Sequence, residues 1–346
     1  MPKLIKGWVH NPGKHCASTV LSDLTHFYAL NFSESFCFGL GSGLGVFYLE
    51  GEIFSPTRML MTRAQDLEGN FFRALGIDFE WKKEPEPEKG WKKVKEYLDQ
   101  QIPVLVHADI YFLDHYQSKT HFPGHVICLW GYAPDKNTVF LADTGWEGLI
   151  ELPLDSLQKA RYSKVPFFVL EGDYFPVILP EKINQLPARI KNSLLLQADL
   201  LLESGEMGGF AWSGIEALKR ISQQIISWKD ASDSQWCFRW AYQIIEKRGT
   251  GGGGFRKLYA QFLREAGEFL PELKELAEEM ENIAGLWSEL AYFLKDLSEK
   301  DQPGLDELSR AGEKFSQLAV KEEKFFQEIK ALLGPEEERD ELEAGA

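Results

Sequence analysis

Cys16 is the first residue at which the chain offers covalent chemistry. It follows the polar segment HNPGKH, which contains Gly13, and opens the run CASTVLSDLTHFYAL (16–30), whose apolar positions recur at helical spacing. A thiol at a helix N-terminus meets the partial positive charge of unpaired amides, which favours the nucleophilic thiolate. The alternative for an isolated cysteine is a small buried hydrophobe. A nucleophile needs a base, and all seven histidines (10, 15, 26, 107, 115, 121 and 125) fall in the first 125 residues. His125 opens HVICLWGYA (125–133), and Asp143 closes TVFLADT (138–144); the intervening PDKN is a hairpin turn. With the turn centred near 135–136, the residue facing His125 is close to 146, and Asp143 is about one diagonal neighbour away. Both then lie at one edge of the hairpin. A carboxylate there holds the imidazole tautomer and the imidazole takes the thiol proton. Read singly, they are a structural histidine and an ordinary turn aspartate; with Cys16 they favour nucleophilic catalysis.

The elements that must position these residues read as an α+β domain over 1–172. Besides the Cys16 helix, helices are expected near 64–75 and 91–101. Further strands are expected at PVLVHAD (103–109), GLIELP (148–153) and PFFVLE (166–171). The segment DYFPVILPEKINQLP (173–187), with three prolines, reads as a linker. Residues 188–334 read as an all-α domain, with amphipathic segments at 187–204, 211–229, 232–247, 254–269, 271–299 and 303–333. The last residues, 335–346, read as a disordered tail.

Charge and composition exclude other classes. Of the net charge of −15, residues 261–346 carry −13, from 23 acidic against 10 basic residues. No basic stripe for a phosphate backbone is left, so nucleic acid is excluded as a partner. Four cysteines at 16, 37, 128 and 237 form neither CxxC pairs nor a disulfide ladder. No apolar leader or 18-residue apolar run is present, so a reduced, cytoplasmic protein without a membrane segment is expected. His15 and His26 lack the spacing of a metal site, and no metal or cofactor is expected. FGLGSGLG (38–45) is followed by no βαβ unit and no GK[ST], so it is not a nucleotide loop.

Several of these strings together resemble a known family. HCASTVLSDLTHFYALNFSES (15–35), FGLGSGLGVFY (38–48), PVLVHADIYFLDHY (103–116) and GHVICLWGYAPDKNTVFLADT (124–144) look like the N-terminal domain of the butirosin biosynthesis protein H family. RGTGGGGFRKLYAQFLREA (248–266) is similar to the domain of unknown function that commonly follows it. The resemblance implies a papain-like cysteine-enzyme fold and transfer of an acyl group from a carrier-protein or CoA-type thioester to an amine. It makes Cys16 the acyl-accepting nucleophile, His125 the general base and Asp143 its orienter. Papain-like enzymes usually place a glutamine before the cysteine for the oxyanion hole. Here His10 and Asn11 are the nearest polar residues, and Asn11 with the Cys16 amide is the candidate donor pair.

Two glycine segments complete the candidate site. Gly41, Ser42 and Gly43 either wall the substrate pocket or make a plain tight turn. GTGGGG (249–254) leads into a helix beside Arg256, and Gly252, Gly253 and Arg256 are candidates to receive a pantetheine phosphate in the Cys16 cleft. The other reading of this segment is a flexible helix connection. The acidic helices beyond 271 are a docking face or a solvated surface. Carrier proteins are acidic, so Lys82, Lys83, Lys89, Lys92, Lys93 and Lys95 form the expected docking cluster. Expected partners are a thioester acyl donor and a small amine, with self-association left open. Hydrolysis by the same triad, as a peptidase or amidase, and non-catalytic small-molecule binding are the rival readings.

Overall fold

The computed structural model describes residues 1–165, 168–203 and 205–334. The expected tail and part of the strand expected at 166–171 lie outside the described residues. The chain divides into two compact units, Met1–Cys37 with Gly76–Asn184, and Phe38–Leu75 with Gln185–Ala346.

The first unit is α+β. Its antiparallel sheet runs in the order Tyr174–Pro176, Val104–Ala108, His125–Ala133, Thr138–Ala142 and Ile150–Pro153, and Lys3–Leu4 adds a second pairing to His125–Ala133. Every residue of His125–Ala133 is buried. An unbroken apolar run of this kind, ICLW rather than alternation, is what a strand covered on both faces requires. Helix Cys16–Phe27 packs on this strand, and Ala17, Val20, Leu21 and Leu24 are its fully buried apolar stripe. The hairpin turn falls where the sequence placed it, with Ala133 opposite Thr138. A one-residue irregularity between Leu129 and Gly131 then slips the register, so that Cys128 pairs with Ala142. Part of the expected linker belongs to this unit: Tyr174–Pro176 pairs with Val104–Val106 as an edge strand, where a proline is tolerated.

The second unit is helical, as expected, with a small sheet added. Its helices are Leu186–Leu202, Gly214–Gln224, Ser234–Glu246, Arg256–Ala266, Leu273–Ser298 and Leu305–Leu333, together with Leu67–Ala74. The sheet runs Glu206–Met207, Ala211–Ser213, Leu44–Glu50 and Arg58–Arg63. Residues 38–75, read from sequence as part of the N-terminal domain, therefore group with the helices. The cause is pairing: Phe47, Tyr48 and Leu49 face Ser213, Trp212 and Ala211. The aromatic residues at 210–240 (Trp212, Trp228, Trp236, Phe238 and Trp240), which by sequence are core or the lining of an apolar acyl channel, are largely core. Trp228 is fully buried, stacks on Tyr48 and donates to its hydroxyl at 3.1 Å, while Trp240 donates to the Leu60 carbonyl at 2.8 Å. Among the described residues no helix is long and apolar enough to cross a membrane.

Candidate active site

Cys16 is the first residue of its helix, and His15 is the N-cap. Glu34 anchors the approach to this helix. Its carboxylate accepts from the backbone amides of Lys14 and His15 at 2.9 and 2.7 Å and from the hydroxyls of Ser18 and Thr19 at 3.2 Å. Gly13 is required by close approach, because a Cβ there would stand 2.1 Å from Thr19 Oγ1. The Gly13 amide also donates to the Thr144 carbonyl at 2.8 Å, tying the cysteine loop to the residue after Asp143.

The structure brings Cys16, His125 and Asp143 together. His125 opens its strand with a buried side chain, rather than facing an open cleft. Its Nε2 lies 2.8 Å from Asp143 Oδ1, and the ring is near enough to Cys16 for each to shift the other's proton affinity. Asp143 is fully buried and has three more donors: Tyr116 Oη at 3.1 Å and Thr144 Oγ1 at 2.9 Å on Oδ1, and His115 Nε2 at 2.8 Å on Oδ2.

The electrostatics follow from this packing. Burial alone would raise the Asp143 carboxyl, but the His125 charge and hydrogen bonds from both histidines hold it well below the usual carboxylate range. Burial works against the His125 imidazolium, yet Asp143 and Cys16 outweigh it and push the ring up. Burial likewise pushes the Cys16 thiol up, and the pull of His15 and His125 overcomes it, leaving the thiol well below its ordinary value. The arrangement favours a thiolate beside an imidazolium. Cys16 is partly exposed, whereas Cys37, Cys128 and Cys237 are buried. Burial raises the Cys128 thiol and takes Cys237 up to about 12.

A second histidine–carboxylate pair braces the loop before Cys16. His10 Nδ1 is 2.6 Å from Asp23 Oδ2 and its Nε2 is 2.8 Å from the Trp146 carbonyl, while the Asn11 amide donates to Asp23 Oδ1 at 2.9 Å. Burial disfavours the His10 imidazolium, but Asp23 outweighs that and its affinity for a proton is raised. The Asn11 backbone is thus fixed, while the residue itself is exposed and its side-chain amide has no partner among the described residues.

The sequence did not single out His115, Tyr116, Glu34 or Asp23 as site residues. A signal existed for His115, which lies in the histidine-bearing string 103–116, but nothing local says that its ring turns back onto Asp143.

The two glycine segments are corrected by their surroundings. Gly41, Ser42 and Gly43 are buried in the second unit. Ser42 Oγ donates to the Ser193 carbonyl at 2.9 Å, and Phe38 occupies the space where a Gly43 Cβ would stand. They pack against the Leu186–Leu202 helix rather than receive a substrate. Gly252 and Gly253 are buried too. Gly253 has φ +60° and sits so close to Ala284 that a Cβ would be 2.8 Å from its carbonyl oxygen. Arg256 is fully buried, and its guanidinium is spent inside the unit. Nε and Nη2 donate to the two oxygens of Glu322 at 2.7 and 2.8 Å, Nη1 donates to the Gly254 carbonyl at 2.7 Å, and Trp287 lies 4.7 Å away face-on. Fully buried and paired with Glu322, Arg256 is held with Gly252 and Gly253 as a structural joint. The lysine cluster is largely paired: Lys83 with Glu171, Lys89 with Glu86, Lys93 with Glu84 and Lys95 with Asp99.

The matches to known families divide the chain differently from its compact units. Residues 15–144 match the family described as butirosin biosynthesis protein H, N-terminal, and residues 155–329, half of the chain, match the domain of unknown function DUF4872. The chain belongs to the family that joins these two modules. No curated protein matches it.

Proposed function

We propose that the protein is a cysteine acyltransferase working through Cys16. The observation that carries this reading is the His125–Asp143 pair, bonded at 2.8 Å, gathered electrostatically with Cys16 at the start of its helix. In the first half-reaction the Cys16 thiolate attacks the carbonyl carbon of a thioester. The new S–C bond forms, the donor's C–S bond breaks, and the departing thiolate takes the His125 proton. In the second half an amine attacks the acyl-enzyme, its proton passes to His125, and Cys16 leaves as a thiolate. The Cys16 amide and the Asn11 side chain are the proposed oxyanion donors. A thioester on a carrier protein or on CoA fits this chemistry, and so does a small amine acceptor.

Hydrolysis passes through the same acyl-enzyme and differs only in whether water or an amine completes the cycle. Intact-mass measurement after incubation with assorted acyl thioesters tests the reading. A stable acyl adduct that is absent in Cys16→Ser and is released as amide on adding amines supports it. Release only as free acid assigns the same site to hydrolysis, and no adduct with any thioester refutes it.

A further inference from the structure

His15 does two things, and only one of them is structural. Its Nδ1 caps the Cys16–Phe27 helix by accepting from the Ser18 backbone amide at 3.3 Å. A backbone amide can only donate, so Nδ1 presents its lone pair and the ring proton sits on Nε2. The Ser18 hydroxyl is 3.2 Å from both His15 Nδ1 and Glu34 Oε1, and can lend its proton to either without opposing that tautomer. Nε2 is 3.9 Å from Cys16 Sγ. The ring is buried, and the His15 amide is held by Glu34 at 2.7 Å, so backbone and side chain are both fixed.

We infer that His15 is a second imidazole of the reaction centre: a fixed Nε2–H donor to the Cys16 sulfur, which it stabilises whenever that sulfur carries charge. The contact stands independently of the acyl-transfer reading, but its consequence for turnover rests on it. Sulfur is charged in the resting thiolate and again as the amine displaces it. At that second point the N–C bond forms, the C–S bond breaks, the electron pair returns to sulfur and His125 takes the amine proton. In the acyl-enzyme between them the sulfur is uncharged and the donor gains little. A donor that acts mainly at the charged stages favours expulsion of Cys16, the step that completes transfer.

His15→Asn separates the two roles, since asparagine is among the best helix N-caps but is too short to reach the sulfur while capping. The readout is the pH dependence of Cys16 alkylation by iodoacetamide in the full-length protein. The midpoint should rise by about one pH unit, a tenfold loss of thiolate on the acid side, with helix content unchanged. Release of a preformed acyl-enzyme to an amine should slow by about tenfold. His15→Ser, also a good cap, should behave alike. An unchanged midpoint in a folded variant overturns the inference. If neither variant folds, the ring ¹⁵N shifts of the wild-type protein decide: a protonated Nε2 and bare Nδ1 support it, and the reverse overturns it. Alkylation and ring shifts need no acyl donor. A shifted midpoint in an enzyme that never acylates would leave the donor role standing and remove acyl transfer instead.

Discussion

His115 and His125 share one carboxylate, their Nε2 atoms lying 2.8 Å from opposite oxygens of Asp143. The orienting group of the candidate triad is therefore clamped from both sides. Tyr116 and Thr144 fill the remaining acceptor positions on Oδ1. A carboxylate held this way cannot rotate away from His125 without breaking its bond to His115.

His115→Ala should therefore lower kcat by about tenfold while leaving KM near its wild-type value, the loss expected of one charge-assisted hydrogen bond. Combined with Asp143→Asn, the second change should cost little more, because both remove the same support. Additive losses in the double variant would place His115 outside this network.

Among the four thiols, Cys16 should react first with limiting iodoacetamide near neutral pH. It alone is partly exposed with a lowered thiol, while burial raises Cys128 and Cys237. Peptide mapping of the singly alkylated protein reads this directly. Modification of Cys37, Cys128 or Cys237 ahead of Cys16 would discard it as the nucleophile.

The pH profile has a definite sign. A lowered thiol stays a thiolate above its shifted midpoint and loses reactivity as pH falls through it, so alkylation should be flat across neutral pH and decline only on the acid side. A raised imidazole keeps its proton until pH climbs to about 10, and acyl transfer, which needs that proton for the leaving thiolate, should fall there. His125→Ala removes one of the two rings that hold the thiol down. The alkylation midpoint should then move up, toward the ordinary thiol range, with a slower rate at neutral pH.

Glu34 holds four donors around the helix start without touching the sulfur. Glu34→Ala should destabilise the fold by about 2–3 kcal/mol, since charge-assisted bonds are lost and donors are left without partners. Thermal melting measures this. Glu34→Gln, which keeps the shape and half of the acceptor capacity, should recover part of the loss.

Arg256→Met should lower the melting temperature sharply, because it leaves the buried Glu322 carboxylate without a counter-charge, at a cost of about 3–5 kcal/mol. The KM for a thioester donor should not change in whatever fraction stays folded. A raised KM with unchanged stability would return Arg256 to substrate binding.

The parts of this fold that were legible in the sequence are those specified locally. The Cys16 helix has its apolar stripe written at helical spacing, and the 125–144 hairpin has its turn residues between two apolar runs. Their positions alone marked Cys16, His125 and Asp143 as candidates. What was missed is specified at long range. Leu44–Glu50 became a strand because Ala211–Ser213 pairs with it, and no pattern within 38–75 names that partner. The glycines of GTGGGG suggested a ligand because glycine commonly admits one, but here Gly253 admits the backbone of Ala284. Arg256 likewise looked available until the buried Glu322 met it. His115 sits just after a single 3-10 turn, Ile110–Phe112, and where such a ring points is decided by the sheet beneath it rather than by its neighbours in sequence.

The discontinuous units carry a practical consequence for anyone cutting this chain. A fragment ending near 172 retains Leu44–Glu50 and Arg58–Arg63 but discards the strand Ala211–Ser213 that covers the free side of Leu44–Glu50. It would also lose Gln197, whose amide accepts from the Leu44 amide and donates to the Leu44 carbonyl. Such a piece would expose a bare, apolar sheet edge ready to pair with other copies of itself, a recipe for aggregates rather than a miniature enzyme. The two family modules are separable on paper, but the polypeptide must be inherited, expressed and assayed whole.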